Sequence, residues 1–465
     1  MGKPTDIRIK EVRMAHINYR YRTPIKFGGT ALDRVTNLDV AVYVESPSGK
    51  TAVGFGSMPL NNIWAFPSKT VPFEQTLEAM KALSRRIAKI LPGASGGEYL
   101  HPLDHSHVLE PLIFAEAKEA DRELKLSAPI PPLASLVTAS PFDAAIHDAF
   151  GKIHGINSYH SYGAKYVSHD LSHYLDKGFT GEYLDRYVSK APKKIMPIYH
   201  LVGALDPLTD GDLKTRVNDG LPETLYEWVL ADGLTHLKIK LNGDDLDWDV
   251  ARVLAVNAVC DQVEKEHGPR AWQQSLDFNE RCANVQYLLD FLMRVKKKSP
   301  KAFDRAQYIE QPTARDLRAN PENKMHAATK FKPVVIDESL LDYESLILSA
   351  ELGYSGVALK ACKGQSQAVL MGAAAQKRRM FLCVQDLTCT DASFLHSAGL
   401  AARIPTVAAI EGNGRQYCPA ANKGWEDRFP TVFKVKNGRI ETGVLTGMGL
   451  GCAPVGYEGV GLKKA

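Results

Sequence analysis

The chain has 465 residues, 45% hydrophobic and 24% charged, with a formal net charge of +4. That length exceeds one ordinary core and the composition is that of a folded protein, which excludes disorder and leaves two domains or one large barrel with an added lobe. The basic clusters Lys296 to Lys298 and Lys377 to Arg379 fall at the ends of expected helices, where they complement the helix dipole, so no nucleic-acid partner is expected.

Cys260, Cys282, Cys362, Cys383, Cys389, Cys418 and Cys452 are scattered and form no CxxC pair, which points to reduced thiols in a cytoplasm. The opening MGKPTDIRIK lacks the apolar core of a signal peptide. No apolar run approaches the ~20 residues of a membrane span. A soluble cytoplasmic protein with no membrane partner is the expectation.

From Ile7 to about Gly56 the pattern alternates as strands do, with LDVAVYVE and TAVGFG joined by a Ser-Pro-Ser-Gly-Lys turn. Two loops are expected, Thr23 to Gly29 and Ser57 to Pro67. The second carries Ile63, Trp64 and Phe66, aromatic and aliphatic groups that suit packing under a lobe or a wall over a pocket. Glu74 to Ile90 has helical periodicity. Residues 93–136 are rich in Pro, Gly and His and read as an irregular insertion. There Pro102 is expected to break the helix that would align His101 and His105, and no cysteine or carboxylate pattern joins them and His107 in a zinc site. PFDAAIHDAFGKIHG, Pro141 to Gly155, reads as a helix with proline in its first turn and glycine at its end. A second insertion, about 167–194, places His169 and His173 four residues apart, as surface groups or an oligomer contact.

From Ile195 onward short apolar strands alternate with helical stretches. The strands are MPIYHLVG, THLKIKL, QQSLDFN, AQYIEQP, PVVIDES, GVALKA, FLCVQD and TVAAIE, with helices such as PETLYEWVLADG, opened by Pro222, between them. Eight such units predict a closed parallel barrel. An open doubly wound sheet would show a glycine-rich turn after its first strand, and GALDPLTDG is not one. The last fifty or so residues lose the rhythm. FKVKNGRIETGV reads as a hairpin turning at Asn437-Gly438.

On a β/α barrel the reactive face is built from the C-terminal ends of the strands. The second strand ends in Lys238 and Lys240, with His236 deeper in the barrel. The third ends in Asp277 and Asn279, the fourth in Glu310, and the fifth in Asp337 and Glu338. The sixth ends in Lys360 with Lys363 beyond, the seventh in Asp386 and the eighth in Glu411. Buried like charges repel unless a cation or shared proton intervenes. Three acids from successive strands form a hard-oxygen set suited to Mg²⁺. Lysines on both sides of that ion, with pKa lowered by burial and cationic neighbours, suit removal of a proton beside a carboxylate and stabilisation of the resulting enolate.

The motifs KIK, DFNE, IEQP, DES and ALKACK, in this order on successive strands, resemble those of the enolase superfamily. More narrowly they resemble the muconate-lactonising branch of its mandelate racemase and muconate lactonising group. The resemblance implies an α/β fold: a modified TIM (β/α) barrel at 137–415, with an α+β capping domain formed by 1–136 and the returning segment 416–465. It implies Asp277, Glu310 and Asp337 as ligands of one Mg²⁺, with Mn²⁺ able to replace it, and lysine bases working beside that ion. Lys240 and Lys360 would be the acid and base on opposite faces of the substrate, and Lys238 a neighbour that tunes Lys240 or touches the substrate carboxylate. Asn279 and Glu338 would support or line the site, Trp64 would close it, and Asp386 stands where this branch usually carries glutamate. EGNGRQY departs from the Asp-x-Asp of dipeptide epimerases, although Glu411 could still meet a cation. The implied activity is racemisation or epimerisation of a small carboxylate. Cycloisomerisation, syn-dehydration and a non-catalytic metal-binding homologue are the alternatives. A homo-oligomer is compatible with such a barrel, without an interface signal in the sequence.

Overall fold

The computed structural model describes residues 2–27, 30–452 and 462–464. Gly28 and Gly29 of the first expected loop, and most of the glycine-rich tail, lie outside them. Near the N-terminus β1 (Arg8–Phe27), β2 (Thr30–Glu45) and β3 (Thr51–Pro59) form an antiparallel sheet. The first expected loop is therefore strand as far as Phe27.

Helices Phe73–Ile90, Pro102–Leu124 and Pro132–Ile153 follow. The stretch expected to be irregular is thus mostly helical. Pro102 opens its helix rather than breaking one, because a first-turn N–H has no intrahelical acceptor to lose. His101 caps that helix by accepting the Leu103 N–H at 3.2 Å.

Pro141 stands inside its helix, not in the first turn as the sequence suggested. It cannot donate to the Val137 carbonyl, and the Ser140 hydroxyl does so instead at 2.9 Å. The same helix lies directly on β3. A Cβ at Gly54 would stand 1.9 Å from the Ala145 carbonyl oxygen, and one at Gly56 2.0 Å from that of Pro141, so only glycine allows this approach.

Eight parallel strands then close on themselves: β4 (Met196–Val202), β5 (His236–Lys240), β6 (Gln273–Asp277), β7 (Ala306–Glu310), β8 (Val334–Ile336), β9 (Gly356–Leu359), β10 (Phe381–Val384) and β11 (Ile410–Glu411). Pairing of β11 with β4 completes the barrel. Each expected strand is present. The helix after β4 spans Leu225–Asp232 and is capped by Thr224, whose hydroxyl and Glu227 form a reciprocal capping box, so Pro222 lies outside it.

Asn437 and Gly438 both have positive φ, at 52° and 69°, and turn the chain as expected. The strand that leaves the turn, β12 (Arg439–Ile440), pairs with β4 of the barrel. Further on, β13 (Lys463–Lys464) pairs with β1 of the N-terminal sheet. One continuous apolar core joins strands of the N-terminal sheet, its helices and the barrel. Among the described residues no helix is long and apolar enough to cross a membrane.

Candidate active site

The strand register brings the charged ends together. Lys240 pairs with Asp277, and Asp277 with Glu310, across neighbouring strands. Alternation along β5 sends Leu237 and Ile239 into the apolar layer under the helices, while Lys238 and Lys240 point inward. His236 is half-buried with its ring edge-on to Tyr199 at 5.0 Å, and burial lowers its pKa to about 4.

Lys238 is the hub. Its Nζ lies 2.8 Å from Glu310, 2.8 Å from Glu411 and 3.1 Å from Asp277. The cation that Glu411 meets is therefore Lys238. Lys240 donates to Asp277, and to Asn279 Oδ1 at 3.0 Å. On the far side, Lys360 Nζ lies 2.8 Å from Asp337 Oδ2. Lys363 donates to the Asp337 backbone carbonyl and stands 3.3 Å from its carboxylate. Asp337 and Glu338, just beyond the end of β8, diverge. Asp337 faces these lysines, and Glu338 accepts the Trp64 indole N–H at 2.9 Å.

Trp64 belongs to a short helix, Asn62–Ala65, from the N-terminal domain, and Lys360 Nζ stands 4.7 Å from the centre of its ring. Asp386 accepts backbone N–H groups of Cys389 at 2.9 Å and Asn413 at 3.2 Å, which ties the loops after β10 and β11 together. Lys238, Lys240, Lys360, Asp386, Glu411, Trp64 and Asn413 line one small cavity. A larger cavity, about 520 Å³, lies elsewhere and reaches this cluster only at Lys363.

Burial alone would lower the lysines, but among the protein's own groups Glu310, Glu411 and Asp277 hold Lys238 well above the ordinary range, and Asp337 does the same for Lys360. Asp277 is lowered against its burial by Lys240 and Lys238, whereas burial and the charge of Asp277 push Glu310 up to about 8. Burial and Asp337 raise Glu338 to about 7; burial and Glu411 raise Asp386 to about 7.

Six buried carboxyl groups, Asp277, Glu310, Asp337, Glu338, Asp386 and Glu411, face four buried lysines, Lys238, Lys240, Lys360 and Lys363. Asp277, Glu310 and Asp337 are the set that could hold a divalent cation, since oxygen donors suit a hard ion such as Mg²⁺. Their oxygens do not gather within 4.8 Å of one another as a set, because the lysines stand between them.

Three supports escaped the sequence reading. Gln385 donates to Glu310. The Gln311 side-chain carbonyl accepts the N–H groups of Asp337 at 2.9 Å and Ser339 at 3.2 Å, fixing the end of β8. Arg315 pairs with Glu280 and donates to the Trp64 carbonyl at 3.2 Å. Gln385 and Gln311 adjoin acids in VQD and EQP, which is the one signal available. Asn279, Glu280, Gln311 and Thr388 also hold positive φ, at 45°, 59°, 30° and 54°, so backbone strain gathers at this end of the barrel. His101 and His105 are buried, and His105 bonds the Ile7 carbonyl at 2.8 Å, while His107 is exposed.

The sequence profile described as Enolase C-terminal domain-like matches residues 221–455, half of the 465-residue chain and all of the lysine and carboxylate strand ends. The chain belongs to that family. Solved structures of similar shape include the L-Ala-D/L-Glu epimerase from Bacillus subtilis, 15% identical with a TM-score of 0.62, covering 96% of this chain and 99% of that one. The dipeptide epimerase from Enterococcus faecalis V583, complexed with Mg and the dipeptide L-Leu-L-Tyr, is 16% identical with a TM-score of 0.60, covering 96% and 99%. The 2-chloromuconate cycloisomerase from Rhodococcus opacus 1CP is 19% identical with a TM-score of 0.58, covering 96% of each chain. These likenesses establish the shared fold: a modified TIM barrel with a capping domain. No curated protein matches the chain in sequence.

Proposed function

We propose that this chain is a divalent-cation-dependent enzyme that removes the proton α to a carboxylate and returns it to the opposite face, as a racemase or epimerase. The observation that carries this is the placement of Lys240 and Lys360 at the ends of β5 and β9, facing one cavity from either side of the three acids. Asp277, Glu310 and Asp337 would hold Mg²⁺, which when bound supplies positive charge for the substrate carboxylate and the enolate. The remaining work falls to side chains of the chain itself. One of the two lysines, neutral, takes the α-proton at Nζ. The other, as an ammonium, delivers a proton from the far face. Lys238 stays charged between Glu310, Glu411 and Asp277, which suits an electrostatic role. Trp64 covers the cavity and excludes water.

The test is α-proton exchange in deuterated water with Mg²⁺, across N-acyl amino acids, dipeptides and lactonisable acids of both configurations. The expected result is exchange of both enantiomers of one substrate class, with Lys240→Ala losing exchange of one enantiomer and Lys360→Ala that of the other. Exchange undiminished in both variants would overturn the two-base assignment. Absence of exchange across the whole panel would favour a non-catalytic metal-binding protein.

A further inference from the structure

The two stretches that the barrel chemistry leaves unused meet each other. Asp104 lies in the first turn of the helix Pro102–Leu124, and His107 follows one turn later on the same face. His169 and His173 come from the stretch after the helix Pro132–Ile153, His173 in the short helix Leu171–Tyr174. His169 Nδ1 stands 3.0 Å from Asp104 Oδ1. The rings of His169 and His173 stack at 4.1 Å, and those of His107 and His173 lie 4.8 Å apart. Ligand atoms of Asp104, His169 and His173 all fall within 4.8 Å of one another. Among the described residues this is the one such group.

We propose that Asp104, His169 and His173, with His107 completing the set, form a Zn²⁺ site that staples the 93–136 stretch to the 167–194 stretch. Imidazole and carboxylate donors suit Zn²⁺ and disfavour Mg²⁺, which separates this site from the all-oxygen set in the barrel. Tetrahedral bonds of about 2.0–2.1 Å put ligand atoms roughly 3.3 Å apart. Rotation of the exposed rings of His107, His169 and His173 about the buried Asp104 makes up the difference. The carboxylate is already oriented. Tyr174 donates its hydroxyl to Asp104 Oδ1, the oxygen that His169 also approaches, so Oδ2 is the oxygen available to a metal.

A second acid, Asp6, carries a buried oxygen without a hydrogen-bond partner and interacts electrostatically with Asp104 and His169. Crowding three imidazoles around one carboxylate has no equal benefit for a simple surface ion pair. The site is independent of the proposed reaction.

Tag-free full-length chain saturated with Mg²⁺ is titrated calorimetrically with Zn²⁺, and Co²⁺ replaces Zn²⁺ for absorption spectroscopy. The expected result is one Zn²⁺ per chain, with intense tetrahedral Co²⁺ bands. His169→Ala/His173→Ala, at exposed positions, should weaken that Zn²⁺ by at least ~100-fold, and Tyr174→Phe, which only orients Asp104, by about 10-fold or more. Glu310→Gln should keep the affinity of the chain for Zn²⁺. No Zn²⁺ binding, or binding equal in the double-histidine variant, would overturn the proposal.

Discussion

Replacing Lys238 by methionine removes the one ammonium that bridges Glu310, Glu411 and Asp277, all buried. Methionine approximates the stem without the charge, so the change isolates electrostatics from packing. Removing one partner of a buried ion pair costs about 3–5 kcal/mol, because the partners left behind repel and lack a counter-ion. With an unfolding entropy near ~2.1 cal/mol/K per residue, a chain of this length shifts by about 1 °C per kcal/mol, so Tm should fall by about 3–5 °C without divalent ions. The shared core of barrel and N-terminal domain makes a single transition the expected behaviour. Mg²⁺ at ~100-fold its Kd should stabilise the parent chain by about 2.7 kcal/mol. It should stabilise Lys238→Met by more, since no ammonium then opposes the ion among the acids. The assay is thermal and urea unfolding of both proteins, with EDTA and across a Mg²⁺ series. A variant as stable as the parent in EDTA, or an identical Mg²⁺ response in both, would refute the charge argument.

Two further outcomes are expected. Gly54→Ala places a Cβ 1.9 Å from the Ala145 carbonyl and must push the helix Pro132–Ile153 off β3, at a cost of about 1–3 kcal/mol or more by urea unfolding; an unchanged midpoint would contradict the close packing. His396 is buried with Nε2 2.9 Å from the Gln365 side-chain Oε1, and burial lowers its pKa to about 3. Its folded pKa is depressed, so the unfolded state takes the proton first and stability is lost as pH falls below the ordinary value near ~6.5. Asp391, raised to about 8 by burial and Asp39, acts in the opposite sense, which makes the difference between parent and variant the quantity to measure. The stability of His396→Gln should fall less steeply between pH 5.5 and 4 by up to about 1.4 kcal/mol per pH unit; parallel curves would show that the histidine is protonated in the fold.

Much of this molecule is legible in one dimension because barrel strands repeat a short local code. Period-two alternation and the spacing of apolar runs located β4 to β11, and strand ends carrying Lys240, Asp277, Glu310, Asp337 and Lys360 marked one face of the barrel. What escaped depends on contacts distant in sequence. Pro141 reads as a helix start until the Ser140 hydroxyl and the surface of β3 are seen to support the helix that contains it, and Pro102 as a break until His101 is seen to cap the helix that Pro102 opens. The sign of the lysine shifts could not be read from the chain, because it depends on which carboxylates reach within about 3 Å of each ammonium, and that is decided by barrel closure. Likewise Trp64 meets Glu338, and His169 meets Asp104, across 274 and 65 residues of sequence. Which residue types stand at the strand ends can be read along the chain, since period-two alternation is a local property. Their partners and charge states come from barrel closure, since Coulomb energy depends on distances that local sequence does not set.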